Sequence, residues 1–183
     1  GGYVRPRFPA FGGGGFNCAK TQGTISGGYC NSVDILSFIG GGDTNSAYRS
    51  SVVVGGKNNS ASSLFTFVGG GCCNTSSGGY TFVGGGYNNR SCGNYSSISG
   101  GESNLSTGCW SFIGNGFENT IYSGANHSTI VSGCQNTLCG CFSNIVGGYY
   151  NTVSAYFSNI GGGQCNTITV SYTHLRAHET RED

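Results

Sequence analysis

Charged residues, proline and methionine are all scarce in this sequence. Only 8% of its 183 residues are Asp, Glu, Lys or Arg, whereas typical domains have about 25%. The formal net charge is +1 and no basic run occurs, which argues against a surface for nucleic acids or acidic membranes. No stretch reaches the roughly 18 apolar residues of a membrane-spanning helix. With no Met and a start at Gly1-Gly2, the chain is expected to be an internal piece of a longer reading frame.

Glycine and aromatic residues are abundant instead. The chain has 36 glycines, roughly three times the usual share, and 13% of its residues are aromatic. Disordered segments lack rings to bury, so this composition indicates an ordered chain.

The glycines belong to an internal repeat of 14 to 17 residues. Each unit has an Asn, a Gly three residues before it, and a large apolar residue six residues before it. The asparagines are Asn17, Asn31, Asn45, Asn59, Asn74, Asn89, Asn104, Asn119, Asn136, Asn151 and Asn166. The apolar residues are Phe11, Ile25, Ile39, Val53, Val68, Val83, Ile98, Ile113, Ile130, Ile145 and Ile160.

The repeat predicts a parallel β-solenoid with one coil per unit, all β, over residues 11–170. Two short β segments flank a Gly-Gly-x-x-Asn turn, and 14 or 15 residues are too few for a repeat that contains a helix. Eleven coils spaced by about 4.8 Å would form a rod roughly 50 Å long. Residues 1–10 are interpreted as a linker, and the Ser, Thr and Asn residues after the turns are expected to face solvent.

Glycine and asparagine have distinct predicted roles in the turn. The glycine is expected to adopt a positive φ, which other residues adopt only at a cost. The asparagine tolerates left-handed geometry, and its side-chain amide can pair with its counterpart in the next coil as a ladder. The predicted turn glycines are Gly42, Gly56, Gly71, Gly86, Gly101, Gly148 and Gly163, and the predicted ladder asparagines are Asn45, Asn59, Asn74, Asn89, Asn104, Asn151 and Asn166.

Only the Ile/Val residues and the small or aliphatic residues two positions after each asparagine are expected to point inward, so the predicted core is a thin double column. A second apolar column is mostly aromatic and has no evident place in this core. Its candidate members are Phe65, Tyr80, Tyr95, Trp110, Phe142 and Phe157. The rings could pack inside their own coil, or they could face neighbouring chains. We favour the second interpretation, a chain–chain interface in a homotrimer, because rings of this kind bury about 150–250 Å² each.

The repeat resembles the head domain of trimeric autotransporter adhesins, a left-handed parallel β-roll. The family's half-repeats, G-x-x-S-x-A-x and N-S-x-A-I-G, are similar to Gly42-Asp43-Thr44-Asn45-Ser46-Ala47 followed by 51–55, and to residues 151–162. Related Gly-Gly-x-x-Asn repeats occur in bacteriophage tail fibres. The resemblance, over residues 11–170, implies a homotrimeric fibre and says little about the receptor.

The last thirteen residues differ from the repeats. From Ser171 to Asp183 there is no Gly, and five charges fall among the last eight residues. This segment resembles a translated sequencing adapter, so it is treated as a non-native tail. His174 and His178 stand four residues apart, as metal ligands on a helix do, but they belong to this tail. His127, in the two-residue insertion of the eighth unit, is expected to be merely exposed.

Catalytic and cofactor sites are not predicted. The glycine runs lack the helix and the Lys-Ser/Thr of a phosphate-binding loop. Calcium-binding β-rolls need an Asp in every unit, and the repeats have only Asp34 and Asp43. Asp43 and Glu102 share a column, but four coils at about 4.8 Å separate them by roughly 20 Å, too far for the paired acids of a glycosidase.

The ten cysteines are predicted to be mostly free thiols. No column of the repeat has Cys in adjacent coils, so stacking does not bring two of them to the Cα separation of about 4.4–6.8 Å that a disulfide needs. Cys92 and Cys109, in neighbouring coils, remain an open exception. Free thiols are typical of reducing compartments, which favours a viral fibre over a bacterial autotransporter.

The sequence therefore predicts a non-catalytic fibre segment at a cell surface or on a virion, which displays or forms a receptor-binding surface. Two alternatives stay open. A polysaccharide-degrading tail spike would need paired acids. An ice-binding solenoid would need a regular Thr row, but the residues after the ladder asparagines run Cys, Ser, Ser, Ser, Thr, Arg, Leu, Thr, Thr, Thr, Thr.

Overall fold

The computed structural model describes residues 9–170, and over this range the chain forms a parallel β-solenoid without helices. The predicted fold class is thereby confirmed. Two eleven-stranded parallel sheets run along the rod, each built from strands of two residues. Residues 1–8 and the predicted tail 171–183 lie outside the described range, and the first strand begins at Ala10. No helix in residues 9–170 is long and apolar enough to cross a membrane.

The odd-numbered strands form the first sheet and the even-numbered strands form the second. The first sheet contains β1 Ala10–Phe11, β3 Thr24–Ile25, β5 Phe38–Ile39, β7 Val52–Val53, β9 Phe67–Val68, β11 Phe82–Val83, β13 Ser97–Ile98, β15 Phe112–Ile113, β17 Thr129–Ile130, β19 Asn144–Ile145 and β21 Asn159–Ile160. The second contains β2 Cys18–Ala19, β4 Ser32–Val33, β6 Ser46–Ala47, β8 Ser60–Ala61, β10 Thr75–Ser76, β12 Arg90–Ser91, β14 Leu105–Ser106, β16 Thr120–Ile121, β18 Thr137–Leu138, β20 Thr152–Val153 and β22 Thr167–Ile168.

Equivalent residues of successive coils pair in register. Val83, for example, pairs with Val68 in one neighbouring coil and with Ile98 in the other. Between the two sheets, single bridges form a third ladder that runs from Gly15 to Gln164. Each coil therefore has two corners. The Gly-Asn corner connects the first sheet to the second, and the outer corner connects the second sheet to the next coil.

The core is a narrow double column. From Ile25 to Ile145 the inward-pointing Ile and Val residues of the first sheet are at most 1% exposed. They face the inward residues of the second sheet, such as Val33, Ala47 and Leu138. The buried Ile/Val column confirms the predicted orientation of the strands, because in a two-residue strand one side chain points in and the other points out.

Hydroxyl groups complete the core, contrary to the expectation that Ser and Thr face solvent. A Ser or Thr two residues before the Ile/Val position is buried in most coils and donates to a backbone carbonyl, as Ser51 does to Ala61 at 3.0 Å. Three consecutive coils also have an inward serine in the second sheet. These buried serines, here called the serine belt, are Ser76, Ser91 and Ser106. The apolar core accordingly consists of two clusters, one that ends at Val83 and one that begins at Ile98.

At the second glycine of the Gly-Asn corner there is room for a hydrogen atom but not for a Cβ atom. Gly86 has a φ of +93°, and a Cβ atom built there would lie 2.1 Å from the carbonyl oxygen of Gly101 in the next coil. All seven predicted turn glycines have φ between +80° and +96°. The residue with a left-handed backbone beside the asparagine is the one before it, such as Asn58 or Asn88, and not the ladder asparagine itself.

Each ladder asparagine connects three coils. The N–H of Asn59 donates to Oδ1 of Asn45 at 3.0 Å. Its Nδ2 donates to the carbonyl of Gly55 in its own coil and to that of Gly71 in the next, both at 2.9 Å. The predicted pairing of one side-chain amide with the next occurs at five steps of the column. Backbone groups are the constant partners, so the side chain substitutes for the hydrogen bonds that the corner backbone cannot make with itself.

Gly86→Val should destabilise the solenoid by more than the roughly 1–3 kcal/mol that a positive φ alone costs a residue with a side chain, because its Cβ would also meet backbone. Chemical denaturation followed by circular dichroism measures the change. Gly85→Ala is the matched control, since the nearest atom to a Cβ there is 3.8 Å away. Equal stability of the two variants would contradict the steric argument.

Asn104→Ala should lower the free energy of unfolding by roughly 2 kcal/mol or more, at about 1–3 kcal/mol for each group that loses its partner. The buried N–H of Asn119 and the part-buried carbonyl of Gly100 lose their bonds to Asn104, while the carbonyl of Gly116 keeps its bond from the N–H of Glu102. Asn166→Ala is the control, because Asn166 is exposed and no coil follows it within residues 9–170. Equally large losses in both variants would show that the ladder does not act through bonds between coils.

Candidate functional site

The outer corner holds one residue per coil in a left-handed backbone conformation. From Phe65 to Phe157 the φ angles at this position lie between +51° and +59°. Its N–H is bonded to the preceding coil, as that of Trp110 is to the carbonyl of Asn94 at 2.9 Å. A positive φ is strained for a bulky residue, at about 1–3 kcal/mol, so the presence of rings here calls for a compensating interaction.

The rings stack on one another along the outside of the rod. Six successive contacts have centroid separations between 4.9 and 5.3 Å, and all but the first are within 7° of parallel. Aromatic pairs of this kind contribute about 0.5–1.5 kcal/mol each beyond their buried area, which offsets much of the backbone strain. The stack, here called the ring ladder, comprises Phe65, Tyr80, Tyr95, Trp110, His127, Phe142 and Phe157.

His127 is a member of the ring ladder that the alignment of the repeat units did not identify. Its imidazole lies 5.0 Å from the Trp110 ring and 5.0 Å from the Phe142 ring. The two inserted residues, Ser123 and Gly124, are absorbed in a turn closed by a hydrogen bond from the N–H of Ala125 to the carbonyl of Tyr122. The chain regains its register before His127. His127 was not assigned to the aromatic column because the two extra residues place it eight residues after Asn119, whereas Trp110 lies six residues after Asn104.

The ladder is exposed to solvent rather than packed inside its own coil. Trp110 retains 54% of its surface and Phe157, at the end of the stack, 79%. All six residues predicted for the interface lie in this column. Two residues further along the chain, Phe82 and Phe112 add exposed rings to the outer face of the first sheet. Lys, Arg, Asp and Glu occupy no outward position of that sheet and no position of the ladder.

Half of the charged side chains of residues 9–170 lie at the Gly-Asn corner, namely Asp43, Lys57, Glu102 and Glu118. Lys57 pairs with Asp43 at 3.4 Å, and Nε2 of Gln135 donates to Glu118 at 2.7 Å. A hydrogen bond from Thr44 is the main cause that lowers the pKa of the Asp43 carboxyl. Asp43 and Glu102 both belong to the ladder of single bridges at the Gly-Asn corner, where four bridge steps separate them. Glu118 lies in the coil next to that of Glu102. Among the described residues no cluster of His, Cys, Asp and Glu could hold a metal ion.

All ten cysteines are free thiols. Cys92 and Cys109, left open as a disulfide, are not bonded. The closest thiols are adjacent in sequence instead, since Sγ of Cys72 lies 3.0 Å from Sγ of Cys73. The sequence argument did not consider this pair, because it looked for cysteines at equivalent positions of adjacent coils and not for cysteines adjacent in the chain. The contact with Cys73, together with burial, raises the pKa of the Cys72 thiol.

Comparisons with known proteins add no relative. No protein-family model matches the chain, and no curated protein matches it significantly. The fold and the surface therefore have to support any functional conclusion by themselves.

His127→Ala should lower the free energy of unfolding by about 1–3 kcal/mol, because two stacking contacts are lost at about 0.5–1.5 kcal/mol each. It should also increase the quenching of Trp110 by acrylamide, and Trp110 is the only tryptophan in the chain. His127→Phe keeps a flat ring and is the control. If the two variants behave alike, the ladder is not continuous through residue 127.

Proposed function

We propose that this chain is a shaft segment of a homotrimeric fibre, carried on a cell surface or a virion, whose ring ladder packs against two further copies of the chain. The single observation that carries the proposal is the exposed ring ladder. At about half exposure and about 150–250 Å² per ring, seven rings present roughly 500–900 Å² of apolar surface. The largest apolar patch on a typical monomer is about 300–600 Å².

The composition of the ladder face favours protein–protein contact. Interface cores are enriched in aromatic residues and depleted of charge, and this face has rings but no Lys, Arg, Asp or Glu. One partner in a stable complex contributes about 800 Å², which the ladder and the adjacent Phe82 and Phe112 approach together. A second copy is the natural occupant because a rod with the same repeat presents rings at the same spacing along its axis.

Fibre architecture fits the fold as well. Eleven strands per sheet at about 4.8 Å give a rod roughly 50 Å long, and coils of this type extend by simple addition. The choice of three copies rather than two rests on the resemblance of the repeat to trimeric adhesin heads and tail fibres. A fibre of this class displays or forms a receptor-binding surface, and its role is structural rather than enzymatic.

A second candidate, ice binding, is favoured by one observation. Thr120, Thr137, Thr152 and Thr167 follow one another in register on the outer face of the second sheet. The row is interrupted in the preceding coils by Arg90 and Leu105, so only four consecutive coils would present threonine to an ice surface. A thermal-hysteresis measurement that detects growth inhibition would favour this candidate, and its absence would leave the fibre.

The fibre proposal predicts that the full chain sediments as a trimer. Trp110→Ser combined with Phe142→Ser should convert it to a monomer, because two of the rings at the centre of the interface are removed. Tyr87→Ser is the matched control, since Tyr87 is 51% exposed but lies on the Gly-Asn corner, outside the ladder. Analytical ultracentrifugation measures all three proteins. A wild-type monomer whose Trp110 is readily quenched in solution would overturn the proposal.

A further inference from the structure

The Gly-Asn corner brings the side chains of two consecutive residues together. In an extended strand, successive side chains point to opposite faces. At this corner a bridged residue is followed by a residue with φ near +55°, and the two side chains meet. Thr44 donates to Asp43 at 2.8 Å, and the rings of Tyr149 and Tyr150 are 4.4 Å apart. The contact is thus a property of the corner and recurs with different chemistry.

In one coil the two residues at this corner are both cysteines. Cys72 is bridged to Lys57 and Tyr87 in the neighbouring coils, and Cys73 has a φ of +63°. The backbone N–H of Cys73 is held by the carbonyl of Lys57 at 2.9 Å. Both side chains are half-buried and reachable from solvent, and their sulfur atoms are 3.0 Å apart.

We infer that Cys72 and Cys73 form a redox-active dithiol, which low-molecular-weight disulfides such as oxidised glutathione convert to a disulfide between adjacent residues. One cysteine thiolate attacks the small disulfide and expels one thiolate, which leaves a mixed disulfide on the protein. The second cysteine thiolate attacks the protein sulfur of that bond and expels the other small thiolate. Two protein thiols are oxidised, one small disulfide is reduced to two thiols, and the two protons pass to the leaving groups.

The ring that closes is strained and therefore readily reopened. Consecutive Cα atoms are about 3.8 Å apart, below the range of about 4.4–6.8 Å in ordinary disulfides. Strained and accessible disulfides have higher reduction potentials and are the labile ones. The pair is consequently suited to reversible oxidation rather than to permanent stabilisation of the rod.

The sequence offers a direct assay for this site. Between Lys57 and Arg90 there is no Lys or Arg, so trypsin releases residues 58–90 with Cys72 and Cys73 as its only cysteines. Residues 21–49 are released with Cys30 alone. Cys30 occupies the same corner position as Cys73, at a φ of +53°, but follows Tyr29. It is an internal control without a neighbouring thiol.

The full, folded chain is incubated with oxidised glutathione, alkylated, unfolded, digested and weighed by mass spectrometry. Before any reductant is added, we expect the 58–90 peptide to have lost two hydrogens and to carry no glutathione, while Cys30 carries a glutathione adduct. Dithiothreitol should then restore both thiols of the 58–90 peptide. In Cys73→Ser, Cys72 should accumulate a stable glutathione adduct. Two separate adducts on the wild-type peptide would overturn the inference. Equal ring closure in guanidine-unfolded protein would overturn it too, because the folded corner would then make no contribution.

Discussion

The carboxamide of the corner asparagine is the interaction on which the rest of this structure depends. Strands of two residues supply few hydrogen bonds, and the tight Gly-Asn corner leaves backbone groups that no strand can satisfy. The side chain of Asn89 accepts from the next asparagine through Oδ1 and donates to Gly85 and Gly101 through Nδ2. It is fully buried, where an unpaired polar group costs most. The requirement for close approach of successive corners, met only by a glycine such as Gly86, follows from this geometry.

Most of the fold could be predicted because its determinants are periodic. Asn, Gly and Ile/Val at fixed spacing define the register, the corner and the core, and a repeat makes each signal visible eleven times over. The serine belt was harder to foresee. Ser76, Ser91 and Ser106 occupy apolar positions, and only the structure shows Ser76 and Ser91 paired with hydroxyls 2.6 Å away. A buried serine looks like a solvated one until its partner, five residues away, is known.

The surface was less predictable than the interior for a related reason. The six predicted rings could be placed in one column by counting, but whether they faced inward or outward depended on the backbone conformation at the outer corner. His127 was lost from the count by the insertion of Ser123 and Gly124. The Cys72–Cys73 contact depends on a positive φ at the second residue. Local dihedral angles, which a spacing argument does not contain, decide each of these cases.

The serine belt has a mechanical meaning for the rod. In a linear repeat protein each coil interacts only with its neighbours, so cohesion is set locally. Here the apolar contacts form one block that ends at Val83 and another that begins at Ile98. Under tension along the axis, the junction between the blocks is where we expect the rod to part first, because serines bury less apolar surface there than Ile121 or Leu138 does further on. The two blocks would then separate and unfold one after the other. The rod would lengthen in steps under load instead of unfolding all at once.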